Sequence, residues 1–131
     1  MVTVVMYSGQ FIRERNDVAR RWMVATMRGV RALQGPILGV RSPEKMFTPE
    51  NLAIFEKYTG VSAQVIRDQV SYTWDPDLEI RRDFILDQER VHLRNGRLQT
   101  AEPIPPENLI DDSFVRHAQD VLGRVRQTLA P

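Results

Sequence analysis

Residues 16–33 read NDVARRWMVATMRGVRAL, and their periodicity decides the fold class. Val18, Trp22, Ala25, Gly29 and Leu33 recur at helical spacing, while Arg20, Arg21, Arg28 and Arg31 fall largely off that stripe. A helix is expected from Phe11 to about Leu33. Asn16 is the expected N-cap of its main part, and Asp17 in the first turn suits the positive end of the helix dipole. Gly35-Pro36 stops it.

Upstream lies VTVVM (Val2–Met6), a β-branched run closed by the turn signal Tyr7-Ser8-Gly9. It reads as one buried strand. A lone strand leaves its backbone donors and acceptors unpaired, so it needs a partner in another chain or in a second copy. Downstream, residues 35–47 form a Gly- and Pro-containing loop. Thr48 then caps a helix with Pro49 at its first position and Gly60 just past its end. Leu52, Phe55 and Tyr58 form the expected inner face of that helix. Ser62 caps a short third helix carrying Val65, Ile66 and Val70. The segment YTWDPD (Tyr72–Asp77) holds an Asp-Pro turn. A fourth helix is expected from about Leu78 to Asn95, with Ile80, Phe84, Leu86 and Val91 inward and Asn95-Gly96 as its stop. A Pro-rich connector spans 97–109. In the last helix Phe114, Ala118, Val121, Val125 and Leu129 line one face, between Asp111 and Asp112 at its start and Arg124 and Arg126 near its end. The expected architecture is mainly α: about five short-to-medium helices and one N-terminal β-strand, in one helical domain over residues 1–131.

Composition bounds what such a domain can do. The 131 residues carry 18 Lys+Arg against 17 Asp+Glu, so no global field selects nucleic acid or an anionic membrane. Cys is absent, which excludes disulfides, thiolate metal sites and a cysteine nucleophile. No apolar run approaches the roughly 18 residues of a membrane span, and Met1–Met6 lacks the basic and apolar regions of a signal peptide.

Few residue constellations point to chemistry. LAIFEKYTGVSAQVIRDQV (Leu52–Val70) has the outline of a helix-turn-helix, with Gly60 in the turn and Ser62 as second cap. Glu56 is bulky where two crossing helices need a small residue, and the second helix pairs one cation, Arg67, with one anion, Asp68. A DNA reader needs several cations there, so a plain helical corner competes with a small DNA-binding regulator. Glu89-x-x-His92 has the spacing used in carboxylate di-metal sites, but His117 lacks a matching Glu. A solvated helix face is expected instead. Asp75, Asp77 and Glu79 lack the Gly and length of a calcium loop and read as a turn followed by an acidic first helical turn. Trp22, on the helical stripe, reads as core. No phosphate loop or nucleophile elbow occurs. The residues give no metal site, no cofactor and no enzyme.

Four stretches nevertheless carry a resemblance. VVMYSGQFIRERNDVARRWMVATMRGVRAL (Val4–Leu33), with Asn16-Asp17-Val18 and Trp22, is similar to the strand and helices by which periplasmic solute-binding proteins of ABC transporters cross back into their first lobe. PENLAIFEKYTGVSAQVIRDQV (Pro49–Val70) resembles the next helix pair in the nitrate/sulfonate/taurine and thiamine-precursor type. SYTWDPDLEIRRDFILDQERVHLRNGRL (Ser71–Leu98) resembles that family's Asp-Pro turn, its Gln-bearing helix (Gln88) and its Asn/Gly stop. PPENLIDDSFVRHAQDVLG (Pro105–Gly123) resembles its closing helix through Asp111, Asp112, Ser113 and Phe114. The match covers nearly the whole chain but only the C-terminal third or so of the family. The signal peptide, most of the first lobe, the second lobe and the hinge have no counterpart, and Gln34–Phe47 is longer than the usual connection.

The resemblance implies part of the first lobe of a two-lobe α/β protein that closes on a small organic solute and delivers it to a membrane permease. Tyr7, Ser8, Gly9 and Gln10 would lie nearest the cleft, with a structural turn as the competing reading. The chain by itself is expected not to hold the solute. The family is periplasmic, whereas a chain expressed without an export signal stays in the cytoplasm. An uncovered strand edge and helix faces favour a homo-oligomer, with no nucleic acid partner and no membrane insertion.

Overall fold

The computed structural model describes residues 5–34, 43–68, 74–100 and 102–125. Eight helical segments follow one another within them: α1 (Gly9–Glu14), α2 (Asn16–Gln34), α3 (Pro43–Met46), α4 (Pro49–Thr59), α5 (Ala63–Asp68), α6 (Arg82–Arg94), α7 (Pro106–Leu109) and α8 (Ser113–Leu122). The chain is mainly α, as its periodicity indicates. The described residues contain no strand. Of the expected strand, residues 2–4 lie outside the described part. Val5 and Met6 are irregular and exposed, Met6 at 84%.

The first long helix breaks in two. Arg15 leaves helical geometry at φ −136°, ψ 40°, and its N–H closes α1 by donating to the Phe11 carbonyl. Its own carbonyl then accepts from the Ala19 N–H at 3.0 Å, starting α2 at once. Asn16 therefore stands inside α2 rather than capping it, and its side-chain oxygen accepts from the Arg20 guanidinium at 2.8 Å. The buried stripe of α2 is also shifted by one residue from the expected one. Ala19, Met23, Met27 and Val30 are buried, whereas Trp22 is 49% exposed and Ala25 and Gly29 lie at the surface. Both stripes have helical spacing. Packing against α8 selects the one with two flexible Met side chains and a fully buried Ala.

That packing is the core. Ala19, Met23 and Met27 form one buried cluster with Phe114, Val115 and Ala118, bordered by Tyr7, Phe11, Ile12, Val24, Leu78 and Leu122. On α8 the inward face is thus Phe114, Val115, Ala118 and Gln119. Of the expected face, Val121 is 52% exposed, Val125 follows the end of the helix, and Leu129 lies outside the described residues. Arg126, too, lies outside them.

Punctuation in the middle of the chain follows the sequence closely. The Thr48 hydroxyl accepts from the Asn51 N–H at 3.2 Å, Pro49 opens α4, and Gly60 ends it at φ 70°, a conformation costly for any side chain. Leu52 is buried and Phe55 half-buried, but Tyr58 is 76% exposed. In the short α5, Ile66 is half-buried and Val65 exposed, while Val70 lies outside the described residues. The loops expected at 35–47 and 97–109 each contain one helical turn, α3 and α7. At the other stop, Asn95 follows α6 and Gly96 takes φ 64°.

The turn before α6 departs most from expectation. Asp75 holds it: its carboxylate accepts from the Asp77 N–H at 2.8 Å, and its carbonyl from the Leu78 N–H at 2.9 Å. Leu78 has φ 54°, so no helix can begin there, and α6 starts only at Arg82. Asp77 is consequently not part of an acidic helical turn. It is buried, and the Arg31 guanidinium of α2 lies 2.6 Å from its Oδ1. The same guanidinium donates to the carbonyls of Pro76 (2.9 Å), Leu122 (3.4 Å) and Gly123 (2.7 Å). Asp77 Oδ1 also accepts from the Val125 N–H at 3.0 Å, and its carbonyl accepts from the Gln119 side chain at 2.9 Å. One ion pair thus joins α2, the Asp-Pro turn and the end of α8.

Both charges are well shielded, with the Arg31 side chain 19% and the Asp77 side chain 9% exposed. Removing one partner strands the other charge. Asp77→Ala is expected to cost about 3–5 kcal/mol of folding free energy. Asp17→Ala, which breaks the exposed pair with Arg21, leaves stability close to that of the unaltered chain. Urea denaturation checks both, and equal midpoints for the two variants would refute a structural role for the Asp77 knot.

Candidate functional site

The residues singled out by the resemblance form the entry to α1, where the chain turns from Met6 into the helix. Ser8 is its N-cap, with extended geometry and an Oγ that accepts from the Phe11 N–H at 3.1 Å. The Ser8 carbonyl accepts from the Ile12 N–H at 3.1 Å. Gly9 is the first helical residue, and a Cβ there would come within 3.3 Å of the Arg13 guanidinium. Gln10 is exposed and donates from Nε2 to the Glu14 carboxylate at 3.0 Å. These residues form a polar, exposed rim. The Ser8 oxygen is engaged as a cap, which leaves the amide oxygen of Gln10 as the most available polar handle.

Tyr7 behaves differently from its three neighbours. Its ring meets Phe11 at 5.5 Å, Trp22 at 5.9 Å and Phe114 at 5.2 Å between centroids, the last two edge-on. Its hydroxyl donates to the Ala19 carbonyl at 3.1 Å. Tyr7 therefore anchors the turn to the core of α2 and α8, with its polar end satisfied. Trp22 closes the outer side of this aromatic group, which accounts for its being both packed and half exposed. The structure brings Tyr7, Ser8, Gly9 and Gln10 together as one turn, but their side chains face in different directions chemically: one into the core, two along α1.

The helical corner at Leu52–Val70 has the left-handed Gly60 that its sequence demands. Glu56 is accommodated by a specific contact, because its carboxylate accepts from the Ala63 N–H at the start of α5. The bulky acid thus holds the corner. Ser62 contributes only a long contact, 3.5 Å to the Val65 N–H. On α5 the Gln64 amide donates to both oxygens of Asp68 at 3.0–3.1 Å, and Arg67 is the cation of this short helix.

Glu89-x-x-His92 does not form the solvated face its sequence suggests. Glu89 is buried, and its Oε1 accepts from the Ile104 N–H at 2.7 Å, pinning the Pro-rich connector to α6. Its Oε2 and the His92 Nδ1 are buried, with no hydrogen-bond partner among the described residues. Among the described residues no three His, Asp or Glu side chains gather as a metal site. Nothing in the local pattern signals the burial of Glu89, since its neighbours Asp87, Gln88 and Arg90 are all polar.

Burial raises the Tyr7 phenol above the usual value near 10. The neutral phenol is the form the fold favours, so its contribution to stability is complete below the unfolded-state value and is lost as pH rises through the folded-state one. An ultraviolet titration is expected to show one tyrosinate forming above the usual phenol range, and Tyr7→Phe to abolish that late step. Loss of the hydroxyl's bond to Ala19 costs about 1 kcal/mol.

Compared with family models, curated proteins and solved structures, the chain matches none.

Proposed function

We propose that this chain is the C-terminal portion of the substrate-binding component of an ABC transporter for a small organic solute, a transport protein rather than an enzyme. One observation carries the reading. Three of the four segments that bear the resemblance, far apart in sequence, pack on one another. The helix bearing Asp17-Val18 and Trp22 lies against the helix opened by Asp111-Asp112-Ser113-Phe114, and the Asp-Pro turn is tied to both through Arg31 and Gln119. Motifs retained in their expected order and packed together behave as one structural unit of a larger protein.

In this reading the turn Tyr7–Gln10 is the part of the chain nearest the solute, with Ser8, Gly9 and Gln10 exposed toward it. The rest of the cleft in such a protein is formed by other segments, so these four residues do not retain solute alone. The complete protein is exported and meets a permease. Among the described residues no helix is long and apolar enough to cross a membrane. Val5, Met6 and Trp22 form exposed apolar surface beside the turn, which the remainder of the protein would cover. Without it, two copies of the chain associate.

The genomic DNA upstream of the coding sequence tests the parentage. An export signal and a strand-rich first lobe are expected there, in the same or a shifted reading frame. Their absence from every frame overturns the reading. For the isolated chain, light scattering is expected to give a mass above that of one copy, falling toward one copy in Trp22→Glu. A monodisperse monomer at high concentration refutes self-association.

A further inference from the structure

A groove of about 200 Å³ runs between Glu79–Arg82 and one side of α8, away from the Tyr7–Gln10 turn. Its floor includes Ile80, Val115 and Gln119, and its walls carry Arg82, Arg116 and Arg124 against Glu79 and Asp112. Three guanidiniums thus face two carboxylates within the groove, and the Asp111 carboxylate also interacts with the Arg116 charge. The distribution is more uneven than the count. Arg124 lies 3.1 Å from Glu79 and donates to the Gln119 side chain at 2.9 Å, so its charge is answered locally. Arg82 and Arg116 instead share Asp112, one on each oxygen, at 2.7 and 2.8 Å.

Each of these two guanidiniums has five N–H donors and spends only part of that fork on Asp112. All three arginines are at least 46% exposed, so their remaining donors reach solvent in the groove. Arg82 is the first residue of α6 and Arg116 lies in the opening turns of α8, so the positive ends of both helices add to the same sign. The geometry points to a site for a small oxyanion of the phosphate type, bridged by Arg82 and Arg116, with Asp112 as the internal group that holds them in place. Phosphate oxygens match the planar fork of arginine. The groove exceeds inorganic phosphate in size, so the preferred source is a small phosphomonoester whose organic part lies over Ile80 and Val115.

Calorimetric titration of the whole chain at low ionic strength, with inorganic phosphate and separately with glycerol phosphate, tests this assignment. Both are expected to bind, glycerol phosphate the more tightly. Arg82→Gln and Arg116→Gln are each expected to weaken binding about tenfold, the share of a charge-assisted hydrogen bond. Asp112→Asn is expected to tighten it, because the competing charge is removed while an acceptor oxygen remains. Arg21→Gln, on an exposed face of α2, is the control and leaves affinity unchanged. Thermal melts of every variant establish that each is folded. The assignment is overturned if the unaltered chain binds neither anion at millimolar concentration, if the Arg82 and Arg116 variants bind as it does, or if Arg21→Gln weakens binding equally. Equal affinity for the two anions refutes the phosphomonoester preference.

Discussion

A buried ion pair between Arg31 and Asp77 is the constraint on which the arrangement of this chain depends. Charges removed from water are costly unless each remaining donor and acceptor finds a partner. Here the pair and its partners come from three separate segments. Arg31 supplies donors to the Pro76, Leu122 and Gly123 carbonyls, and Asp77 accepts from the Val125 backbone. The cation also stands at the C-terminal end of α8, where unpaired carbonyls and the helix dipole favour it. Apolar packing of Ala19, Met23 and Met27 against Phe114 and Ala118 supplies the attraction, but such packing is non-directional. The ion pair fixes the register in which α2 and α8 meet.

Local chemistry in the sequence made much of this fold legible. Thr48-Pro49 and Gly60 delimit α4 because each answers a backbone requirement that neighbours cannot change. Asn95-Gly96 does the same for α6. What escaped was set by tertiary contacts. Two stripes of α2 have helical spacing, and only the position of α8 decides between Trp22 and Met23 as the inward residue. Leu78 carries a helix-forming side chain yet adopts φ 54°, because the buried Asp77 dictates the path of the turn. Arg31 and Glu89 read as surface charges in one dimension. Each is drawn inward by a partner, Asp77 or the Ile104 N–H, that periodicity does not reveal.

The candidate site shows the same division. Turn chemistry at Tyr7-Ser8-Gly9 was visible, and Ser8 caps α1 as a residue of its kind does. The role of Tyr7 was not, since its three aromatic neighbours include Phe114, near the other end of the chain. An aromatic side chain at a turn can serve a ligand or a core, and here its edge-on contacts commit it to the core. The turn is therefore held rigidly from beneath while its polar rim stays open. That is a sound arrangement for a recognition loop: the exposed part contributes little ordering cost when something binds.

The knot at Arg31 also has a consequence in time. Its closing acceptor, the Gly123 carbonyl, lies 92 residues further along the chain, and the Asp77 carboxylate 46. During synthesis α2 leaves the ribosome before α8, with a cation whose shelter does not yet exist. Local helices can form as they emerge, but the buried pair cannot close until the end of α8 is free, so the core is completed last and all at once. Contacts of such long range slow folding and leave apolar faces open in the interval. Met23 and Met27 are the surfaces that wait, which makes this core one whose integrity depends on α8 having been made.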